Sequence, residues 1–170
     1  MRTRTFLLAL MAIFALCACD DTQQYVGKWE SEKLNEDGVK GKMFLTLNED
    51  GTMLTTIDAS ATVEEEGINT NAVVSASMNG TWEVVAGILT LTYDEKSLST
   101  ELKDLSSDDP DADAIIQMVM EDESMKKEVE ADFETGLKSE MTSGDLNVKE
   151  IDGSKMVLED EDGTMTFYKR

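Results

Sequence analysis

From Tyr25 onward the chain alternates between apolar and polar residues in short runs, each ended by a turn signal. The clearest run is 68–85. Ile68, Ala72, Val74, Ala76, Met78, Trp82 and Val84 fall on one side, and Asn69, Asn71, Ser75, Ser77, Asn79, Thr81 and Glu83 on the other, with Val73 the exception. The same phase runs through Met53, Ile57, Ala59, Ala61 and Val63, and through Leu89, Leu91 and Tyr93. Strands are expected over 25–34, 40–48, 52–64, 68–85, 88–98, 145–151, 155–159 and 164–169. Three Asp-Gly turns (Asp37-Gly38, Asp50-Gly51, Asp162-Gly163) and shorter ones at Ala86-Gly87 and Asp152-Gly153 separate them. Short connections predict an antiparallel meander, and one dry face against one wet face predicts a sheet closed on itself. The expected fold is mainly β, an eight-stranded antiparallel barrel. Gly80 falls on the dry face of a very long strand, where a bend or bulge is expected.

The period changes at about 101–141. Asp109-Pro110 is a helix start, with Asp as N-cap and Pro at the first helical position, and Asp111 and Asp113 suit the positive end of the helix dipole. Ile115, Met118, Val119, Met125, Val129, Phe133 and Leu137 follow at helical spacing. An amphipathic helical insertion between the fifth and sixth strands is predicted, with a break near Glu121–Ser124. From Glu101 to Glu140 there are 14 acids against four lysines, so its outer face is anionic.

The first 21 residues have a different logic. Arg2 and Arg4 precede an apolar run from Phe6 to Leu16, too short to span a bilayer permanently. Leu16-Cys17-Ala18-Cys19 resembles the lipobox of bacterial lipoproteins. A signal peptidase needs a small residue before the cleaved bond, which selects Cys19, after Ala18, over Cys17, after the bulky Leu16. The expected organisation is a signal peptide over 1–18, a lipidated tether over 19–24 and a barrel domain over 25–170. Acylation at Cys19 implies a bacterial cell envelope, at the outer membrane on its periplasmic or surface face.

Composition narrows the chemistry. Removing residues 1–18 takes Arg2 and Arg4 from a chain of formal charge −21 and leaves −23. That charge argues against nucleic acid and against adsorption to anionic lipid, so membrane attachment falls to the acyl chains. The chain has no histidine, which excludes His-activated nucleophiles and removes the usual nitrogen ligand of transition metals. Asp109-x-Asp111-x-Asp113 does not fit a calcium loop, because Pro110 and the missing glycine and glutamate break the pattern. No metal, cofactor or catalytic residue is expected. With 36 acids in the chain, a carboxylate pair at glycosidase spacing carries no weight.

Gly27-Lys28-Trp29 in the first strand resembles the Gly-x-Trp signature of lipocalin-like (calycin-type) lipoproteins. The segments 45–52, 80–83, 89–92 and 163–168 also look like that family. The resemblance implies a barrel whose floor is closed around Trp29 with Gly27 beside it. It also implies a basic residue from the last strand, Arg170 or Lys169, across the indole. In typical members the main helix follows the last strand, whereas here the helical segment interrupts the sheet. The resemblance further implies non-catalytic binding of a small apolar or amphipathic molecule. Met53, Ile57, Ala72, Val74, Ala76, Met78, Trp82, Leu91 and Tyr93 are the candidate lining. The alternative is an interaction module, an inhibitor or assembly factor, whose acidic helix contacts another envelope protein. A cavity of roughly 300 Å3 with apolar walls favours the first, and a filled barrel with an exposed apolar patch favours the second.

Overall fold

The computed structural model describes residues 22–36, 39–65, 67–141 and 143–170. Cys19, the expected signal peptide over 1–18 and the expected Asp37-Gly38 turn lie outside them. The strands are β1 (Gly27–Ser31), β2 (Leu34–Glu36), β3 (Val39–Leu47), β4 (Thr52–Glu65), β5 (Ile68–Val85), β6 (Ile88–Tyr93) and β7 (Ser99–Ser107), followed by β8 (Gly144–Ile151), β9 (Lys155–Glu159) and β10 (Thr164–Lys169). Two helices, α1 (Pro110–Glu121) and α2 (Glu123–Glu140), separate β7 from β8. Eight strands pair antiparallel in the order β1-β10-β9-β8-β6-β5-β4-β3, and β3 pairs back onto β1 to close a barrel.

The turns follow their chemistry. Ala86 and Gly87 both take positive φ, 52° and 78°, which matches the twist of the strands they join. Gly51 at φ 80° closes the β3–β4 turn, where its N–H donates to Asn48 O at 3.1 Å. Alternation places Met53, Thr55 and Ile57 of β4 opposite Gly80, Met78 and Ala76 of β5 on the inner face.

The structure corrects several expectations. The run 25–34 divides into β1 and the short β2, and the run 88–98 ends at Tyr93. Residues 101–107, expected to be helical, belong to β7. The physical reason lies in β5, whose 18 residues outrun the six of β6. Its upper half would leave N–H and C=O groups unpaired, and β7 takes them from Thr70 to Ser77. Leu102 and Leu105 share the inner face despite a helix-like spacing of three, because the register shifts at Val73/Val74 and leaves Lys103 as the extra residue. With β2 and β7 counted, the helices fall between the seventh and eighth strands of the chain rather than the fifth and sixth.

At Gly80 the register runs on without a shift. A Cβ there would collide with the Thr92 carbonyl oxygen and, at 2.6 Å, with Met53 Cε, so this glycine permits a close approach instead of a bend.

The first helix starts at the predicted Asp109 cap, and the predicted break falls at Asp122. Asp109 accepts from the Asp111 and Ala112 amides, and Asp122 ends α1 and caps α2 by accepting from Ser124 and Met125. The helices lie along the outer edge of β7. Glu130 accepts from Leu102 N at 2.9 Å, Asp113 accepts from Ser107 N at 3.1 Å, and the Thr100 hydroxyl donates to Glu130 O. Helical acids thus satisfy donors that β7 would otherwise leave open.

Candidate functional site

The barrel interior divides into two levels. The lower level is solid. Trp29, Leu45, Leu47, Met53, Trp82, Leu89, Leu91, Met156, Leu158 and Phe167 are buried there in one cluster. A short helical turn at Thr22–Gln24 brings Tyr25 beneath them. Its carbonyl accepts from Trp29 Nε1 at 2.7 Å, and its ring lies 6.3 Å from that of Trp82. Trp82 Nε1 donates to Asn48 O at 3.0 Å. Every side chain in this floor is therefore packed and its polar atoms paired, which leaves a stability core and no binding space.

Trp29 occupies the floor position that the Gly-x-Trp resemblance implies. The cation across its ring is Lys169, with Nζ 5.2 Å from the ring centre. Arg170 lies instead 5.4 Å over Phe44, with Nε 3.3 Å from Glu30 on the outer face. Register decides this: Lys169 stands opposite Trp29 in the β1–β10 ladder and shares its face, and the next residue must point away.

The upper level is built differently. Ala76 and Met78 are buried with Leu98 and Met141, and Ile57, Tyr93 and Leu137 pack around them. The end of α2 therefore comes down on the rim without entering the floor. Above this rim the inner faces of β4 and β5 present Ala59, Ala61, Ala72 and Val74, all half-buried. Of the nine candidate lining residues, Met53, Trp82 and Leu91 lie in the solid floor and Ala76 and Met78 are buried at the rim. Ile57, Ala72, Val74 and Tyr93 remain partly open.

Tyr93 touches both levels. Its hydroxyl and that of Thr55 lie 3.5 Å apart, at the limit of a hydrogen bond. Burial raises the Tyr93 pKa, so the group is a neutral donor at physiological pH. Thr55, fully buried, is the residue that sequence reasoning missed. Its place in phase between Met53 and Ile57 was the available signal, a polar residue on a dry face.

Two grooves adjoin on the outer surface and share Lys33 and Lys42. One, of about 340 Å3, lies beside Tyr168 and Arg170, and the other, of about 500 Å3, beside Lys40 and Phe44. Their charges largely answer one another. Lys42 bonds Glu30 and, with Arg170, holds its carboxyl below the usual range, and the Tyr168 hydroxyl donates to Glu32 at 2.8 Å. Such exposed pairs contribute little and mark no reactive centre. Among the described residues no three side chains of the metal-binding types converge.

No curated protein matches this chain. Among solved structures, an uncharacterized protein from Bacteroides eggerthii DSM 20697, a crystal structure at 2.60 Å resolution, is 18% identical. The match covers 85% of this chain and 98% of that one, with a TM-score of 0.39. Residues 26–109 match the family model described as a lipocalin-like domain, a span that runs from β1 through β7 and stops at the cap of α1. Over that span the chain is similar to the lipocalin-like family, and the closed antiparallel barrel and the Trp29 floor agree with the likeness.

Proposed function

We propose that this protein is an envelope lipoprotein, cleaved after Ala18 and acylated on Cys19, that binds a small apolar or amphipathic molecule at the mouth of its barrel without catalysing its conversion. The lipobox-like Leu16-Cys17-Ala18-Cys19 supports the anchor. The likeness of residues 26–109 to a lipocalin-like domain supports the binding role.

One observation carries the choice of site. The half-buried Ala59, Ala61, Ala72 and Val74 form a strip of small apolar side chains above the packed rim. Half-exposed alanines and valines leave room for an apolar body to lie against the sheet, and burial of that body contributes about 25 cal/mol per Å2.

Titration with long-chain alcohols, fatty acids, sterols and bile-acid-like amphiphiles tests the reading, followed by Tyr and Trp emission and by displacement of an environment-sensitive dye. Saturable uptake is expected, with alcohols preferred over the matching carboxylates, which the net negative charge of the chain repels. Failure of every class to saturate overturns it.

A further inference from the structure

The fold consumes only part of the apolar stripe of the helical segment: Val119, Val129, Phe133 and Leu137 are half-buried, the last against the rim. Ile115, Met118 and Met125 are 64%, 67% and 48% exposed, and α1 contains no buried residue at all. Large side chains this open, gathered near one corner, are uncommon on a surface that meets only water. Asp122 holds the corner together: its N–H donates to Met118 O, and its carboxylate accepts from Met125 N. The two methionines thus flank one cap. From Pro110 to Glu140 the segment carries ten acids and three lysines.

That charge selects the occupant. A second copy presenting the same face would bring like charges together, and an anionic bilayer would be repelled as well. What fits is apolar on one side and basic around it. Methionine side chains are soft enough to adapt to such a surface, and a basic amphipathic helix lays its apolar face on one.

We propose that the outward face of α1 and α2, centred on Ile115, Met118 and Met125, is a docking surface for a cationic amphipathic helix of a partner protein. The surface is separate from the barrel mouth, so it stands or falls independently of the small-ligand reading. Three defined peptides probe it by fluorescence anisotropy against the full chain. One is a labelled Lys/Leu peptide with a single apolar face, the second has the same composition in an order that destroys that face, and the third has Glu in place of Lys. Saturable binding of the first alone is expected, weakening as salt is raised. The double variant Met118→Ser with Met125→Ser should lower its affinity by roughly tenfold or more at an unchanged melting temperature. Ile115→Lys, which sets a like charge against the peptide, should do the same. Equal binding of the second peptide, or full binding by both variants, overturns the proposal. Self-association of the full chain that the double variant abolishes would overturn it in favour of a second copy. Adsorption to phosphatidylcholine vesicles abolished by the same variant would overturn it in favour of a bilayer.

Discussion

Lys169 and Trp29 stand directly opposite one another on β10 and β1, with the lysine ammonium 5.2 Å from the centre of the indole ring. Gly27 makes the approach possible. A Cβ on that residue would lie 2.6 Å from Lys169 Cε, and its φ of 143° is one that side-chain-bearing residues rarely adopt. The Gly-x-Trp signature is thus a three-part device: the glycine opens a path, the lysine stem lies along it, and the charge reaches the face of a buried aromatic. Its stem buries and its head stays wet, so the contact closes the floor without placing a charge in the core.

Removing the parts of this device should cost unequal amounts. Trp29→Ala empties a fully buried site and should lower the unfolding free energy by about 3–5 kcal/mol in urea titrations at neutral pH. Lys169→Met keeps the stem and loses the cation, and should cost only about 0.5–1 kcal/mol. Equal losses for the two would mean that the ammonium, and not the packed indole, dominates the floor.

Gly80→Ala tests the other glycine that geometry demands. The added methyl meets the Thr92 carbonyl, which cannot yield without opening the β5–β6 ladder. Destabilisation by about 1–3 kcal/mol is expected, the usual cost of overpacking, in the same titrations. A neutral result would place the β5–β6 strands farther apart than they stand here.

How much of this the sequence carried depends on what each residue answers to. The phase of Met53, Ile57 and Trp82 was legible because a strand's face is set by simple alternation. Asp109-Pro110 was legible because a cap is local chemistry. Strand β7 was not, since the bulge at Lys103 disguises a two-residue period as a three-residue one and its partner, the upper half of β5, is about 30 residues away. The choice between Lys169 and Arg170 was equally closed, because it rests on the register of β10 against β1. Spacing identified the stripe that includes Ile115, Met118 and Met125, but only the structure shows that these three stay largely exposed.

Asp122 should make helicity sensitive to acid. The Ser124 hydroxyl first, then the Met125 and Ser124 amides, hold its carboxyl below its ordinary value of 3.8. A carboxyl that ionises more readily when folded lends stability that is complete above the unfolded value. That stability is lost as pH falls through the lowered folded one. Asp122→Asn keeps an acceptor for the cap and removes the titration. Between about pH 5 and pH 2 the wild type should therefore lose more helical circular dichroism than the variant. Parallel losses would assign the acid response to other groups.

Acylation at Cys19 has a direct assay. Metabolic labelling with a clickable fatty acid in a bacterial host should mark the wild type and Cys17→Ala, and leave Cys19→Ala unlabelled and released from the membrane fraction. Two or three chains hold stably where one does not, since each buried CH2 contributes about 0.8 kcal/mol. A Cys19→Ala protein that still labels and stays with the membrane would move the cleavage site.

Ala72 and Ala76 lie four residues apart on the same inner face of β5, yet they should respond to the same substitution in opposite ways. Ala76 is 3% exposed, packed in a cluster with Met78, Leu98 and Met141. Phenylalanine there has no space to enter, and Ala76→Phe should destabilise the fold by about 1–3 kcal/mol. Ala72 is half-buried and faces Ala61 and Leu105 across the two neighbouring ladders. Ala72→Phe can lie along the strip, so it should leave the melting temperature within about a degree or two of wild type, as surface changes do. It should also remove the uptake of long-chain alcohols, because the ring occupies the bed the ligand would use. Melting curves and dye displacement on the two variants separate the possibilities. If Ala72→Phe destabilises as Ala76→Phe does, the strip is already covered by protein and the mouth holds no ligand. If it melts normally and still takes up alcohols, binding lies elsewhere on the molecule.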